Sequence, residues 1–296
     1  MPLRLITLPH VPSSWSSCLD HVAVNNVSAE DASSDGGTVG AVFLGSHHLG
    51  DRGVERIVDG LEDSCRMYYR IHLDNNQVTR KGAQLISCSL KHCPTLLELS
   101  LADNPLSNEG ARHLASSLMC NNTLEMLNIS NCGIGPSGVD ALSYALEHNN
   151  ASLRWLDLSS NPMGDAGSQS MLRCIANERS FDLLLSCNHS LHGIILKKVT
   201  LEDKRRTLSR IMNYLKVNRK HSDSPMRIPQ LKVLHHINEN PHKFLGYLSN
   251  MRNNDARLAL KLQPTVLSLM DDSSTLMVLV KNTPHVFSNS LRNKLN

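Results

Sequence analysis

Between about residues 39 and 190 the apolar residues follow two alternating rhythms. A short stretch reads L-x-x-L-x-L, and its last two apolar positions alternate with polar ones, as on a half-buried strand. A longer stretch follows with apolar residues three and four apart, as on one face of a helix. Leu96 opens "LLELSLADNPLSNEGARHLASSL", Leu124 opens "LEMLNISNCGIGPSGVDALSYAL" and Leu153 opens "LRWLDLSSNPMGDAGSQSMLRCI". The same template starts at Tyr68 and, more weakly, at Val39, and a degraded sixth copy near residue 180 ends in "LLLSCN", Leu183 to Asn188. The copies are thus spaced by about 27 to 29 residues. Leu99 and Leu101, Leu127 and Ile129, and Leu156 and Leu158 are predicted to point inward from strands. Ala111, Leu114 and Leu118, then Val139, Leu142 and Leu146, are predicted inward positions on helices. One copy cannot cover its own apolar face. Stacked copies bury a shared core, with each buried Leu or Ile contributing roughly 1.5–3 kcal/mol.

Two polar features recur with the pattern. Asn76, Asn104, Cys132, Asn161 and Asn188 form one column, with His47 in the first copy. Side chains there are expected to bond the backbone of the turn after each strand, forming a structural ladder. Gly53, Gly82, Gly110, Gly138 and Gly167 form a second column. In the fourth copy Gly138 completes Gly133-x-Gly135-x-x-Gly138, and Asp157 follows about twenty positions later. That resembles a dinucleotide cradle. However, a cradle needs its first two glycines, and here Pro105 and Pro162 align with Gly133 while Ser107 aligns with Gly135. The glycines are therefore read as part of the repeat, and no cofactor is expected.

These residues resemble the leucine-rich repeat family, specifically its ribonuclease-inhibitor type. That type combines a 28–29-residue period, an Asn/Cys position and a Gly ahead of a full helix. The resemblance covers residues 39–190. It implies an α/β, right-handed solenoid of about six repeats, with parallel strands on the concave face and helices on the convex face. It also implies protein binding through the concave strands and their adjoining loops.

The flanks differ in character. Residues 1–38 are read as an N-terminal capping strand, Leu19 to Val27, and a polar loop, Ser28 to Thr38. Residues 191–296 are read as an all-α, basic C-terminal domain. It opens with a helix capped by Thr200 and Asp203, with Leu201, Leu208, Ile211 and Leu215 as its apolar stripe. "SDSPMRIP" is predicted as a loop, and "QLKVLHHIN", "PHKFLGYLSNM", "DARLALKL", "PTVLSLM" and "STLMVLVKN" as further short helices. This region resembles the helical tail of uncharacterised microalgal repeat proteins.

Charge sharpens the division. The overall charge of +3 splits into −3 for residues 1–38, −5 for 39–190 and +11 for 191–296. An acidic body is joined to a basic tail. Lys204, Arg205, Arg206 and Arg210 are the candidate anion-binding residues of that tail. Only Tyr214 is aromatic between residues 197 and 220, so a base-stacking platform is missing. Eight scattered cysteines form no C-x-x-C pair and are read as reduced thiols, so no zinc site is expected. His47-His48 has no third ligand nearby. No apolar run is long enough to span a bilayer, and the cytoplasm, or the nucleus, is the expected compartment.

The candidate protein-binding residues are the outward strand positions and those just beyond: Phe43, Arg70, His72, Asp74, Glu98, Ser100, Asp103, Asn128, Trp155, Asp157 and Asp182. Trp155 and Arg70 lead, because Trp and Arg are favoured interface anchors. No catalytic residue is assigned. His72, Ser100 and Asp157 share the face, but Asp157 lies three strands from His72 at about 4.8 Å per strand. The expected function is a non-catalytic, protein-binding scaffold or regulator. The alternative is an adaptor whose basic tail contacts nucleic acid or anionic membrane.

Overall fold

The computed structural model describes residues 41–64, 69–179, 181–197, 204–223 and 225–239. The predicted N-terminal cap, the Thr200 and Asp203 helix start, and the predicted helices beyond residue 239 lie outside them. Six three-residue strands form one parallel sheet in chain order: β1 (Ala41–Phe43), β2 (Arg70–His72), β3 (Glu98–Ser100), β4 (Met126–Asn128), β5 (Trp155–Asp157) and β6 (Gly193–Ile195). Five helices follow the first five strands: α1 (Gly50–Ser64), α2 (Arg80–Leu90), α3 (Ser107–Leu118), α4 (Pro136–His148) and α5 (Gly164–Ile175). A short α6 (Phe181–Ser186) precedes β6, and α7 (Lys204–Lys220) and α8 (Ile228–Glu239) follow it. The predicted loop "SDSPMRIP" instead contains a 3-10 turn at Pro225–Arg227 and the start of α8.

The strands are short because the template supplies one inward residue per strand. Val42, Ile71, Leu99, Leu127, Leu156 and Ile194 are those residues, and all are buried. They sit in register with one another across the sheet. With the predicted helix positions they form one continuous core, which Ile211, Tyr214, Leu215 and Val233 of the tail extend. The result is the expected α/β solenoid followed by helices.

Neighbouring helices touch at the glycine column. A Cβ on Gly138 would stand 2.7 Å from Ile134 Cγ2, 2.8 Å from Asn108 Oδ1 and 3.1 Å from Ala111 Cβ. One on Gly110 would meet Leu106 and Ala83 at 2.9 and 3.2 Å. Glycine recurs there because each helix is pressed onto the one before it.

The asparagine ladder joins the repeats through their backbones. Asn104 Oδ1 accepts the N–H groups of Asn76 and Val78, both at 2.9 Å, and its Nδ2 donates to the carbonyls of Leu73, Leu101 and Ala102. Asn161 does the same for Cys132 and Ile134, and Asn76 for His47 and Leu49. Cys132 reproduces only the donor half, its Sγ reaching the Leu101 and Ser130 carbonyls. Burial pushes this thiol up to about 12, which keeps it protonated for that role.

Asn188 does not belong to this column, and the sixth strand is not at Leu183. "LLLS" folds as α6, and Asp182 lies on that helix rather than on a strand. Three consecutive leucines lack the alternation a strand needs. The true sixth copy begins at Leu191, where Leu191, Ile194 and Leu196 restore L-x-x-L-x-L. Adjacent-strand partners Arg154 and His192 are 38 positions apart, against 28 or 29 elsewhere in the ladder. Asn188 instead completes a second asparagine column with Asn121 and Asn150, three residues before the first leucine of each copy. Their Oδ1 atoms accept from Leu124, Leu153 and Leu191, and their Nδ2 atoms donate to Leu90, Leu118 and Leu146. Leu90 and Leu118 end their helices, so this column caps carbonyls that would otherwise lack partners.

The variant Asn104→Leu leaves the Asn76 and Val78 amides buried and unpaired. We predict a loss of about 1–3 kcal/mol in chemical denaturation at an unchanged denaturant slope.

Candidate functional site

The outward face of the sheet is the concave surface, and it divides into two halves of different chemistry. In the first half the predicted residues bond to one another. Arg70 Nε lies 3.0 Å from Glu98 Oε2, and His72 Nε2 lies 3.0 Å from Glu98 Oε1. His72 Nδ1 is 3.9 Å from Asp74, and Phe43 meets the same imidazole edge-on at 4.7 Å. Ser100 is buried, its hydroxyl donating to Asp74, which also accepts the Ala102 N–H at 2.9 Å. Ser100 is therefore not a readable outward group. Asp103 does not share the column of Asp74. It stands one position further along, at φ +57°, where its carboxylate accepts from Asn131 at 2.7 Å.

The second half sets three exposed apolar side chains beside Asn128 and Asp157. Met126, Trp155 and Ile195 stand on three adjacent strands and are 42%, 37% and 38% exposed. The Trp155 ring lies over Gly193, its register partner on β6. A Cβ there would fall 2.2 Å from Trp155 Cζ3, so only glycine admits the ring in this position. Asn128 and Asp157 flank the patch, each accepting the N–H two residues on, from Ser130 and Ser159. Ile195, and His192 three positions before it, were missed in the sequence because the sixth strand was expected at Asp182 to Leu184 and lies at Gly193–Ile195. The motif at Leu191 was the available signal.

The structure does not assemble a nucleophile and base from His72, Ser100 and Asp157. His72 bonds Glu98, Ser100 bonds Asp74, and Asp157 bonds Ser159. Nor do Gly135 and Gly138 offer free amides to a phosphate. Both N–H groups donate to Asn108 Oδ1 of the preceding repeat, at 2.7 and 3.0 Å. Asp51 serves the start of α2 likewise, accepting from Thr79 and Gly82. Among the described residues, no His, Cys, Asp or Glu group is arranged to hold a metal ion.

The tail is fastened to the last repeat by buried polar contacts. Arg210, expected to bind anions, instead pairs with Glu178, which also lies 3.8 Å from His236. Tyr214 bonds His236 at 3.1 Å, and burial, with Glu178 second, pushes its hydroxyl pKa well above the usual range. Lys232 is fully buried. Its Nζ donates to the carbonyls of Ile175 and Asn188 at 2.7 and 2.6 Å, and burial lowers its pKa. Asn218 reaches the Leu191 carbonyl at 2.7 Å. Arg206 is exposed, while the side chains of Lys204 and Arg205 lie outside the described residues.

A leucine-rich repeat family model matches residues 92–115, 120–143 and 149–172, the three copies with the clearest template. Comparison with curated proteins finds no match. Among solved structures, one titled leiomodin-1 actin-binding site 2 is similar, with a TM-score of 0.45 and 18% identity, over 57% of this chain and 91% of that one. No helix among the described residues is long and apolar enough to cross a membrane.

His189 gives the join between the repeats and the tail a pH dependence. Its Nε2 donates to the Leu185 carbonyl at 2.9 Å, and burial, with Lys232 second, lowers its pKa to about 4. Below about 6.5 the unfolded chain binds a proton that the folded chain refuses until about pH 4. Stability contributed by the neutral imidazole is therefore lost as pH falls through that window, by about 3 kcal/mol at most. The variant His189→Gln is expected to flatten this decline in urea midpoints measured from pH 7 to 4.

Proposed function

We propose that the chain is a non-catalytic scaffold or regulator that binds another protein through the concave face of its leucine-rich repeats. The observation that carries this reading is the exposure of Met126, Trp155 and Ile195 on three adjacent strands, Met126 in register with Trp155 and Ile195 in the next row beside Asp157. The first half of the face spends its polar groups on one another, whereas the patch leaves three large apolar side chains in water. Such patches mark interaction sites, and a buried aromatic anchor commonly dominates the energy of an interface. Arg70, His72, Asp74 and Glu98 then act as a polar rim that sets orientation. Phe43, Asp103, Asn128 and Asp157 lie around that rim, while Asp182 falls outside the face.

The ribonuclease-inhibitor subtype is supported by the 28- and 29-residue ladder spacing, the Asn and Cys column, and the full helices α2 to α5. We place the protein in the cytoplasm or nucleus, where exposed free thiols such as Cys88 and Cys120 persist. The adaptor reading of the basic tail is weakened by the pairing of Arg210 with Glu178.

Affinity capture with the full chain, compared between the natural protein and the variants Met126→Glu and Ile195→Glu, tests the proposal. Both positions are exposed, so circular dichroism should remain native. The expected result is loss of most captured protein in each variant. An unchanged set of captured proteins would contradict concave-face binding.

A further inference from the structure

We infer that the apolar patch and the cations beside it take a segment of a partner protein in which a bulky apolar side chain is flanked by aspartate or glutamate. This rests on the concave-face reading above and adds the chemistry of the partner to it.

Where β5 and β6 begin, Arg154 directly precedes Trp155 and His192 directly precedes Gly193. Arg154 Nη1 donates to His192 Nε2 at 3.3 Å. α7, which packs against β6, carries Arg219 exposed near its end. The His192 pKa is lowered by burial first, then by Arg154 and Arg219. The ion pair that the described residues supply to this cluster is Arg154 with Glu125, at 3.7 Å between side chains both more than 40% exposed. A pair that loose and wet contributes little. Arg154 at the start of β5 and Arg219 on the helix packed against β6 thus place positive charge beside the patch, offset by one loose carboxylate pair. Lys197 is exposed at the other end of β6.

An incoming carboxylate neutralises that charge, and a planar guanidinium receives it through two parallel hydrogen bonds. The other half of the face gives the partner its direction. There Arg70 is already paired with Glu98, and Asp74 and Asp103 add negative charge, so an acidic segment is repelled. The indole of Trp155, held over Gly193, is a rigid anchor that loses little freedom on binding. The apolar side chain of the partner therefore lies on Trp155 and Met126, with its carboxylates toward Arg154 and Arg219.

The test is fluorescence anisotropy of the full chain with four labelled twelve-residue peptides. They share a Leu-Phe core and carry Asp/Glu, Ser/Gln, Lys or phosphoserine flanks. The Asp/Glu peptide should bind at least tenfold tighter than the Ser/Gln peptide, the Lys peptide should bind most weakly, and raising salt should erode the preference. The double variant Arg154→Gln, Arg219→Gln should abolish the preference, while Trp155→Ala weakens every peptide. Equal or tighter binding of the neutral or Lys peptide, no binding by any peptide, or a preference that survives the double variant would overturn the inference. So would binding confined to the phosphoserine peptide, which would reassign the anion. If the peptides show no such preference while Met126→Glu still strips captured proteins, this inference alone fails. If Met126→Glu also changes nothing, the concave-face reading fails with it.

Discussion

Each turn that links a strand to its helix carries backbone amides into an apolar interior, where an unpaired N–H is costly. The chain meets that constraint between repeats rather than within them. An asparagine carboxamide in one repeat accepts two amides of the repeat before it and returns its own donors to carbonyls on both sides. A second asparagine column does the same for helix C-termini, and Asn108 and Asp51 do it for helix N-termini. The amides these side chains hold are thus satisfied by a neighbouring repeat and not by their own. This is the polar counterpart of the shared leucine core, and it makes stability a property of neighbouring pairs.

Much of this was legible because the repeats report the same environment again and again. Five inward strand residues, five glycines and the first asparagine column as far as Asn161 stand out once the copies are aligned. The sixth copy was misplaced because the period was extrapolated across an insertion. Leu183 to Leu185, followed by Asn188, imitates the end of a repeat, yet those residues form α6, and Asn188 serves the other column. The second column itself escaped notice because its asparagines precede the motif rather than interrupt it. Contacts across the join with the tail were not legible at all. Nothing in "QLKVLHH" marks Lys232 as fully buried, since its partners Ile175 and Asn188 lie 57 and 44 positions away. Likewise, Arg210 looks like one cation in a basic run until Glu178 is brought to it.

The same economy explains where the surface is available. Aligned positions on the first three strands carry residues that neutralise one another: Arg70 with Glu98, His72 with Glu98, and Ser100 with Asp74. On β4 to β6 the corresponding positions hold Met126, Trp155 and Gly193 in one row and Asn128, Asp157 and Ile195 in the other, so three exposed apolar side chains stand beside two polar ones. A uniform scaffold thus presents a self-satisfied half and an unsatisfied half. The tail, clamped by Lys232 and Glu178, closes the core end nearest the unsatisfied half and packs α7, with Arg219 exposed on it, against β6.

The inter-repeat ladder is tested most directly by native-state hydrogen exchange at individual amides. Asn76, Val78, Cys132 and Ile134 lie in turns, outside any strand or helix, yet their N–H groups are held by carboxamides of the next repeat. If the ladder governs the fold, these four amides exchange as slowly as those in the middle of α3 and α4, opening only with the whole solenoid. Exchange at the rate of ordinary surface turns would contradict it.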